Sequence, residues 1–208
     1  AEGKKVIVIG GGDTGSDCIG TAFRQGAISV ENFEILNKPG LERPEGQPWP
    51  FWPMRLRTSS SHEEGAERYF SVSTKSFKGE AGKLKSLVTV EVEWVKGKDG
   101  RMVLAEISGT EKEWSCDLAL LALGFTGSET SIVDQLGLEM DPRSNIKAAA
   151  VNYMSSIPGV FVAGDQRRGQ SLIVWAIAEG RQAAHHVDTY LMGTSHLPLK
   201  GEGDLPRV

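Results

Sequence analysis

The chain opens on an uninterrupted apolar, β-branched run, Lys5–Ile9 (KVIVI). A run of this length without polar alternation predicts a strand covered on both faces, as in a parallel sheet. Asp13–Gln25 then predicts a helix and Phe33–Leu36 a second strand, which together make a βαβ opening. From Asn37 to Arg57 the pattern breaks. Pro39, Pro44, Pro48, Pro50 and Pro53 block regular pairing and predict a long irregular loop, within which Pro48–Pro53 reads PWPFWP. Glu63–Tyr69 predicts one short helix. Leu84–Val95 (LKSLVTVEVEWV) alternates apolar and polar positions, the mark of a half-exposed antiparallel strand. Lys98-Asp99-Gly100 reads as a hairpin turn with Arg101–Ile107 returning from it, and Asp117–Leu123 is again a buried strand, closing at Gly124.

A second pattern begins near Phe125. Ile132–Leu136 predicts a weak helix, Ile146–Val151 and Val160–Ala163 predict strands, and Gln170–Leu191 predicts a long helix. On that helix Leu172, Ala176, Gly180, Ala183, Val187 and Leu191 fall at helical spacing and predict one buried stripe. Gly180 in the interior costs about 1 kcal/mol against Ala, which predicts close packing there.

Two segments carry candidate chemistry. Gly10–Gly15 (GGGDTG) is a full G-x-G-x-x-G between a strand and a helix, the context that a dinucleotide fingerprint requires. In this reading Gly10 makes the tight turn, Gly12 admits the pyrophosphate and Gly15 allows close helix–strand packing. Asp13 and Thr14 either bind the ligand or cap the helix. The second is Gly159–Ala184 (GVFVAGDQRRGQSLIVWAIAEGRQAA), a strand running through Gly164-Asp165 into a small-residue turn and a helix. Asp165 can accept hydrogen bonds from ligand hydroxyls. The N–H groups near Gly169–Leu172 suit a phosphate or an electron-rich ring edge, which points to a flavin. Past the second strand, Lys38 and Arg43 favour the 2′-phosphate of NADP over the ribose diol of NAD, since Glu34 reads as lying inside the strand.

Other polar features read as structural. Ser59–His62 is expected to serve local hydrogen bonding rather than metal or acid–base chemistry, and His185 and His186 a solvated helix end. The aromatic cluster Trp49, Phe51 and Trp52 reads as a rigid packed loop. Arg167 and Arg168 are equally consistent with a flavin contact and with surface charge.

Composition narrows the class. Two cysteines, Cys18 and Cys116, form no disulfide framework or metal spacing and read as buried thiols of a cytoplasmic protein. A net charge of −4 argues against nucleic acid, and no apolar run reaches a membrane-spanning length, so neither partner is expected. The chain begins with Ala, almost directly on a core strand, and is expected to be an excerpt of a longer protein.

The order GGGDTGSDC, FEILNKP, PWPFWP, RTSSSHEEG, VEVEWVKG, LALGF and VFVAGDQRRGQSLIVWAIAEGRQAA resembles the small (β) subunit of bacterial-type glutamate synthase, over essentially the whole chain. The resemblance implies an α/β, Rossmann-like FAD/NAD(P)-binding fold in three ββα layers, a parallel sheet with helices and an antiparallel β-meander. Residues 1–125 would form the NAD(P)H-binding domain and 126–208 the C-terminal part of the FAD-binding domain. It implies that NADPH (or NADH) reduces FAD, and that electrons pass through iron–sulfur clusters to a large (α) subunit that makes glutamate from glutamine and 2-oxoglutarate. Gly10, Gly12, Asp13, Thr14 and Gly15 would hold the NADPH pyrophosphate, and Gly124 would end the strand beside the nicotinamide. Gly164 and Asp165 would meet the FAD ribityl–pyrophosphate, and Gln170, Ser171 and Leu172 the flavin ring. No general acid or base is expected, because the cofactors carry the redox chemistry. The family's N-terminal portion, with its 4Fe-4S cysteines and its own FAD glycine loop, is not in this sequence. The chain alone is therefore expected to bind NADP(H) weakly and not to retain FAD. Two alternatives stay open: a related NAD(P)H:FAD subunit of the ferredoxin:NADP oxidoreductase, sulfide dehydrogenase or dihydropyrimidine dehydrogenase type, and a non-catalytic nucleotide-binding assembly module.

Overall fold

The computed structural model describes residues 1–48 and 53–201. The expected Trp49–Trp52 packing lies outside them. The chain divides into two compact units, Ala1–Gly124 and Phe125–Val208.

The first unit runs β1 (Lys5–Ile9), α1 (Asp13–Arg24), β2 (Ser29–Glu34), α2 (Ser60–Glu63), β3 (Glu67–Phe70), β4 (Val72–Glu80), β5 (Lys83–Lys96), β6 (Met102–Glu106), β7 (Lys112–Ser115) and β8 (Leu118–Leu121). β3, β2, β1 and β8 form a parallel sheet in that order, with Val6 opposite both Val30 and Leu118. β4, β5, β6 and β7 form antiparallel pairs around the long β5. The apolar run of β1 is buried on both faces because it separates two cores. Val6 and Val8 pack with Ile19 and Ala22 of α1 and with Val30. Ile7 points the other way, to Phe33, Leu87 and Cys116 between the two sheets. There Phe33, Tyr69 and Trp114 make an aromatic cluster, with ring centroids 4.7–5.7 Å apart. Helix, parallel sheet and antiparallel sheet are thus the three expected layers.

Several expectations need correction. The second strand is Ser29–Glu34, not Phe33–Leu36. The chain bends at Ile35–Leu36, where the Leu36 N–H turns back to Glu34 Oε1 at 3.2 Å. Glu34 is therefore the last residue of the strand. The helix expected at Glu63–Tyr69 is shorter and earlier. Ser59 caps it, Gly65 at φ +129° lies just past its end, and Glu67–Phe70 joins the parallel sheet beside β2. β4 and β7 were not anticipated. The β4–β5 turn places both Ala81 (φ +50°) and Gly82 (φ +73°) in the left-handed region, and Ala seldom advertises such a turn.

The second unit contains α3 (Thr130–Leu136), α4 (Asp165–Arg168) and α5 (Ile173–Met192) around a small core of Val133, Leu138, Ile146 and Val162. The strands expected at Ile146–Val151 and Val160–Ala163 are reduced to isolated bridges, Met140 to Ile146, Ala148 to Ser155 and Met154 to Phe161. The long helix starts at Ile173, and its expected stripe forms only in part, with Ala183 buried and Ala176 and Val187 half-buried. Leu191 is 70% exposed, and a Cβ on Gly180 would touch nothing, while Glu179, Gln182 and Ala183 are the buried residues. Among the described residues, no helix is long and apolar enough to cross a membrane.

Candidate functional site

The parallel order aligns the C-terminal ends of β1, β2 and β3 along one edge of the first unit, and the glycine loop leaves β1 there. Gly10 has φ +119°, and a Cβ on it would sit 2.1 Å from the Ala122 carbonyl oxygen. A Cβ on Gly15 would sit 2.1 Å from the Gly10 oxygen, so the loop and α1 pack without room for a side chain. Gly12 differs: a Cβ on it would meet nothing within 4 Å. The three glycines thus separate into a turn, an open position and a packing contact. Gly12 is the N-cap of α1 and supplies no side-chain cap. Asp13 stands in the first turn without capping it, which leaves the helix's leading amides to an outside acceptor.

The loop is pinned from below by Asn32, 1% exposed, whose Nδ2 donates to the Val8 and Gly10 carbonyls at 3.2 and 2.9 Å. Sequence reasoning missed this residue. Its signal was a lone amide between buried positions of an apolar strand.

A cavity of ≈ 570 Å³ extends from Gly11, Gly12 and Asp13 past Glu34 to Arg55, Arg57, His62 and Arg68. Lys38 and Arg43 do not line it, and an Arg43 guanidinium N–H donates to the Gln47 carbonyl at 2.8 Å. The cations on its walls come instead from the end of the proline-rich loop and from β3. Ser59–His62 is a capping box. The Ser59 N–H donates to His62 Nδ1 at 3.2 Å, and the His62 N–H donates to Ser59 Oγ at 3.4 Å. Ser59 Oγ also hydrogen-bonds Ser16 Oγ, tying α2 to α1. Burial, with the charge of Arg68, holds the His62 imidazole below its usual pKa.

In the second unit Gly164 (φ +66°) precedes α4, and Asp165 opens that short helix rather than ending a strand. Asp165 Oδ1 accepts the Ser171 hydroxyl at 3.1 Å. A cavity of ≈ 180 Å³ is lined by Phe125, Asn145, Asp165, Gly169 and Gln170 among others. Ser171 and Leu172 lie beside this stretch, Leu172 as the N-cap of α5, and Gly124 has φ +85° at the end of the first unit. Arg167 and Arg168 are not surface charges. Both pair with Glu179, whose side chain is 3% exposed, and their guanidinium groups lie over Tyr153 and Trp175. Glu179 was the second residue missed, a carboxylate in an otherwise apolar helical stretch. Among the described residues, no cluster of His, Cys, Asp or Glu could hold a metal ion.

The first unit thus carries a glycine loop between a parallel strand and a helix, beside a cavity at the ends of the strands. The chain is 51% identical over 199 residues to the glutamate synthase [NADPH] small chain of Mycobacterium tuberculosis, covering 95% of this chain and 40% of that one. It is 46% identical over 212 residues to the glutamate synthase [NADH] of Schizosaccharomyces pombe, covering 99% of this chain and 10% of that one. The chain spans about two fifths of the length of the small chains it matches. In fold it is similar to Mycobacterium tuberculosis FprA in complex with NADPH (TM-score 0.63, 14% identity, 92% of this chain and 54% of that one). The family model described as pyridine nucleotide-disulphide oxidoreductase matches residues 1–180, and the chain belongs to that family.

Proposed function

We propose that the chain is the nicotinamide-nucleotide and flavin-binding part of a glutamate synthase small subunit, relaying electrons from NADPH through FAD toward a large subunit that makes glutamate from glutamine and 2-oxoglutarate. The observation that carries this is the identity of 51% over 95% of the chain, together with a glycine loop left open only where a diphosphate needs room. When bound, NADPH supplies a hydride and FAD accepts it.

The residues of the first unit fit a pyridine nucleotide. Gly12 leaves space for a diphosphate, the amides of Asp13, Thr14 and Gly15 face it with the positive end of α1, and Gly10 and Gly15 keep the loop close to the sheet. Two polar atoms buried in the wall of this cavity, His62 Nε2 and Arg68 Nε, have no partner within the protein. In the second unit Gly164, Asp165 and Gln170 would hold the chain's share of an FAD. Ser171 orients the Asp165 carboxylate for ribityl hydroxyls, and the leading amides of α5 after Leu172 place positive potential beside the ring. Any iron–sulfur clusters would be held by segments of the whole subunit beyond this sequence.

Titration of NADPH fluorescence with the chain tests the reading. Saturable binding that Gly12→Val abolishes, with the variant still folded, supports it. A folded wild-type chain that leaves the fluorescence unaltered counts against it.

A further inference from the structure

In the Ser59 cap, His62 Nδ1 faces the Ser59 N–H at 3.2 Å and the Ser59 hydroxyl at 2.8 Å, and we assign it as the acceptor of both. A ring nitrogen that accepts a backbone N–H carries no proton, so the neutral imidazole holds its hydrogen on Nε2. A capping box ordinarily has Glu or Gln at this position. Histidine does the same work and leaves a second polar atom at its far end. That Nε2–H is buried and unpartnered, as is the Nε–H of Arg68, and both residues line the first unit's cavity. Arg68 is itself anchored, one guanidinium N–H donating to the Arg57 carbonyl at 2.8 Å, and Arg57 lines the same wall. Two fixed donors, backed by guanidinium charge, call for an oxyanion. The carboxylate on this edge is Glu34. It fills the space beside Gly11 at the end of β2 and lies within charge range of Arg68. It suits a ribose hydroxyl and turns an anion away from its own side of the cavity.

We infer that His62 Nε2–H and the Arg68 guanidinium, with Arg57 beside them, hold the 2′-phosphate of NADPH, so that the choice between NADPH and NADH is made by residues 57–68 and not by Lys38 and Arg43. This rests on reading the cavity as a pyridine nucleotide site. NADP⁺ and NAD⁺ differ only in that phosphate, so calorimetric titration of the whole chain with each separates the two claims. His62→Ala read beside Ser59→Ala is the informative pair, because each breaks the reciprocal cap and only His62→Ala removes the far donor. The wild-type chain favours NADP⁺, and His62→Ala weakens NADP⁺ binding about tenfold while changing NAD⁺ by less than about twofold, whereas Ser59→Ala leaves the ratio within about twofold. Arg68→Met shifts the ratio the same way, and Lys38→Ala with Arg43→Ala leaves it within about twofold. An unchanged ratio in His62→Ala, or its collapse in Ser59→Ala or in the Lys38/Arg43 variant, overturns the inference and spares the dinucleotide site. Failure of the folded wild-type chain to bind either nucleotide overturns both.

Discussion

Glu179 Oε2 accepts the backbone N–H of Gly164 at 2.8 Å, from a side chain that is 3% exposed. The same carboxylate takes the guanidinium groups of Arg167 and Arg168, so one buried charge fixes the strained glycine and both ends of α4. Burial raises the pKa of Glu179. The hydrogen bonds from Arg167 and Gly164 and the charges of the two arginines outweigh it, and the net shift is downward.

Glu179→Ala removes the buried carboxylate that pairs with Arg167 and Arg168 and is expected to destabilise the second unit by about 3–5 kcal/mol, read by urea unfolding. The pH dependence follows from linkage. The unfolded chain protonates this carboxylate first, so its contribution is complete above the ordinary carboxylate pKa of about 4.3 and is lost as pH falls through the lower folded value. Acid unfolding of the second unit therefore begins below about pH 4, and Glu179→Gln flattens that limb.

The glycine loop separates folding from binding. Gly10→Ala drives a Cβ against the Ala122 carbonyl in a left-handed backbone and should cost more than about 2 kcal/mol. Gly12→Ala meets open space at a backbone angle Ala can adopt and should cost about 1 kcal/mol, the loss expected of a poorer N-cap, yet weaken the dinucleotide by crowding its path. Parallel thermal melts and nucleotide titrations of the two variants check the contrast.

Ser59→Ala removes both the cap of α2 and its tie to Ser16, with an expected loss of about 1–2 kcal/mol in thermal unfolding. His62 adds a pH signature. Its folded pKa lies below the unfolded value near 6.5, so the unfolded state takes up the proton first. Stability falls as pH drops below about 6.5, and His62→Gln removes that slope.

Asn32→Ala should cost about 2–4 kcal/mol, because it frees two carbonyls of the loop's base and opens a hole beside β1. Hydrogen exchange at Gly10–Gly12 would rise in this variant before the rest of the sheet loosens.

The layers were legible where burial is one-dimensional. Lys5–Ile9 and Leu84–Val95 announce a doubly covered strand and a half-exposed one, because their apolar periods follow directly from which faces meet water. β3 was not legible. Glu67–Phe70 is a four-residue edge strand whose order comes from pairing with β2, and no local period records that. The stripe on α5 forms only in part for a related reason. Polar partners decide part of its buried face: Glu179 pairs with Arg167 and Arg168, and Gln182 Oε1 accepts the Lys200 N–H at 2.8 Å, so both occupy positions that hydrophobicity assigns to solvent. In the candidate site, backbone requirements were readable as glycines. The cationic wall was not, because Arg57 and Arg68 come together at the cavity only once the loop has closed and β3 has paired beside β2.

The central claim is that the glycine-loop edge of the first unit binds a pyridine nucleotide. Amide NMR of the chain titrated with NADP⁺ tests it most directly. The account predicts saturable shifts confined to residues 10–16, 34–37 and 57–70. Shifts confined to the second unit, or none at millimolar nucleotide in a folded chain, would contradict it.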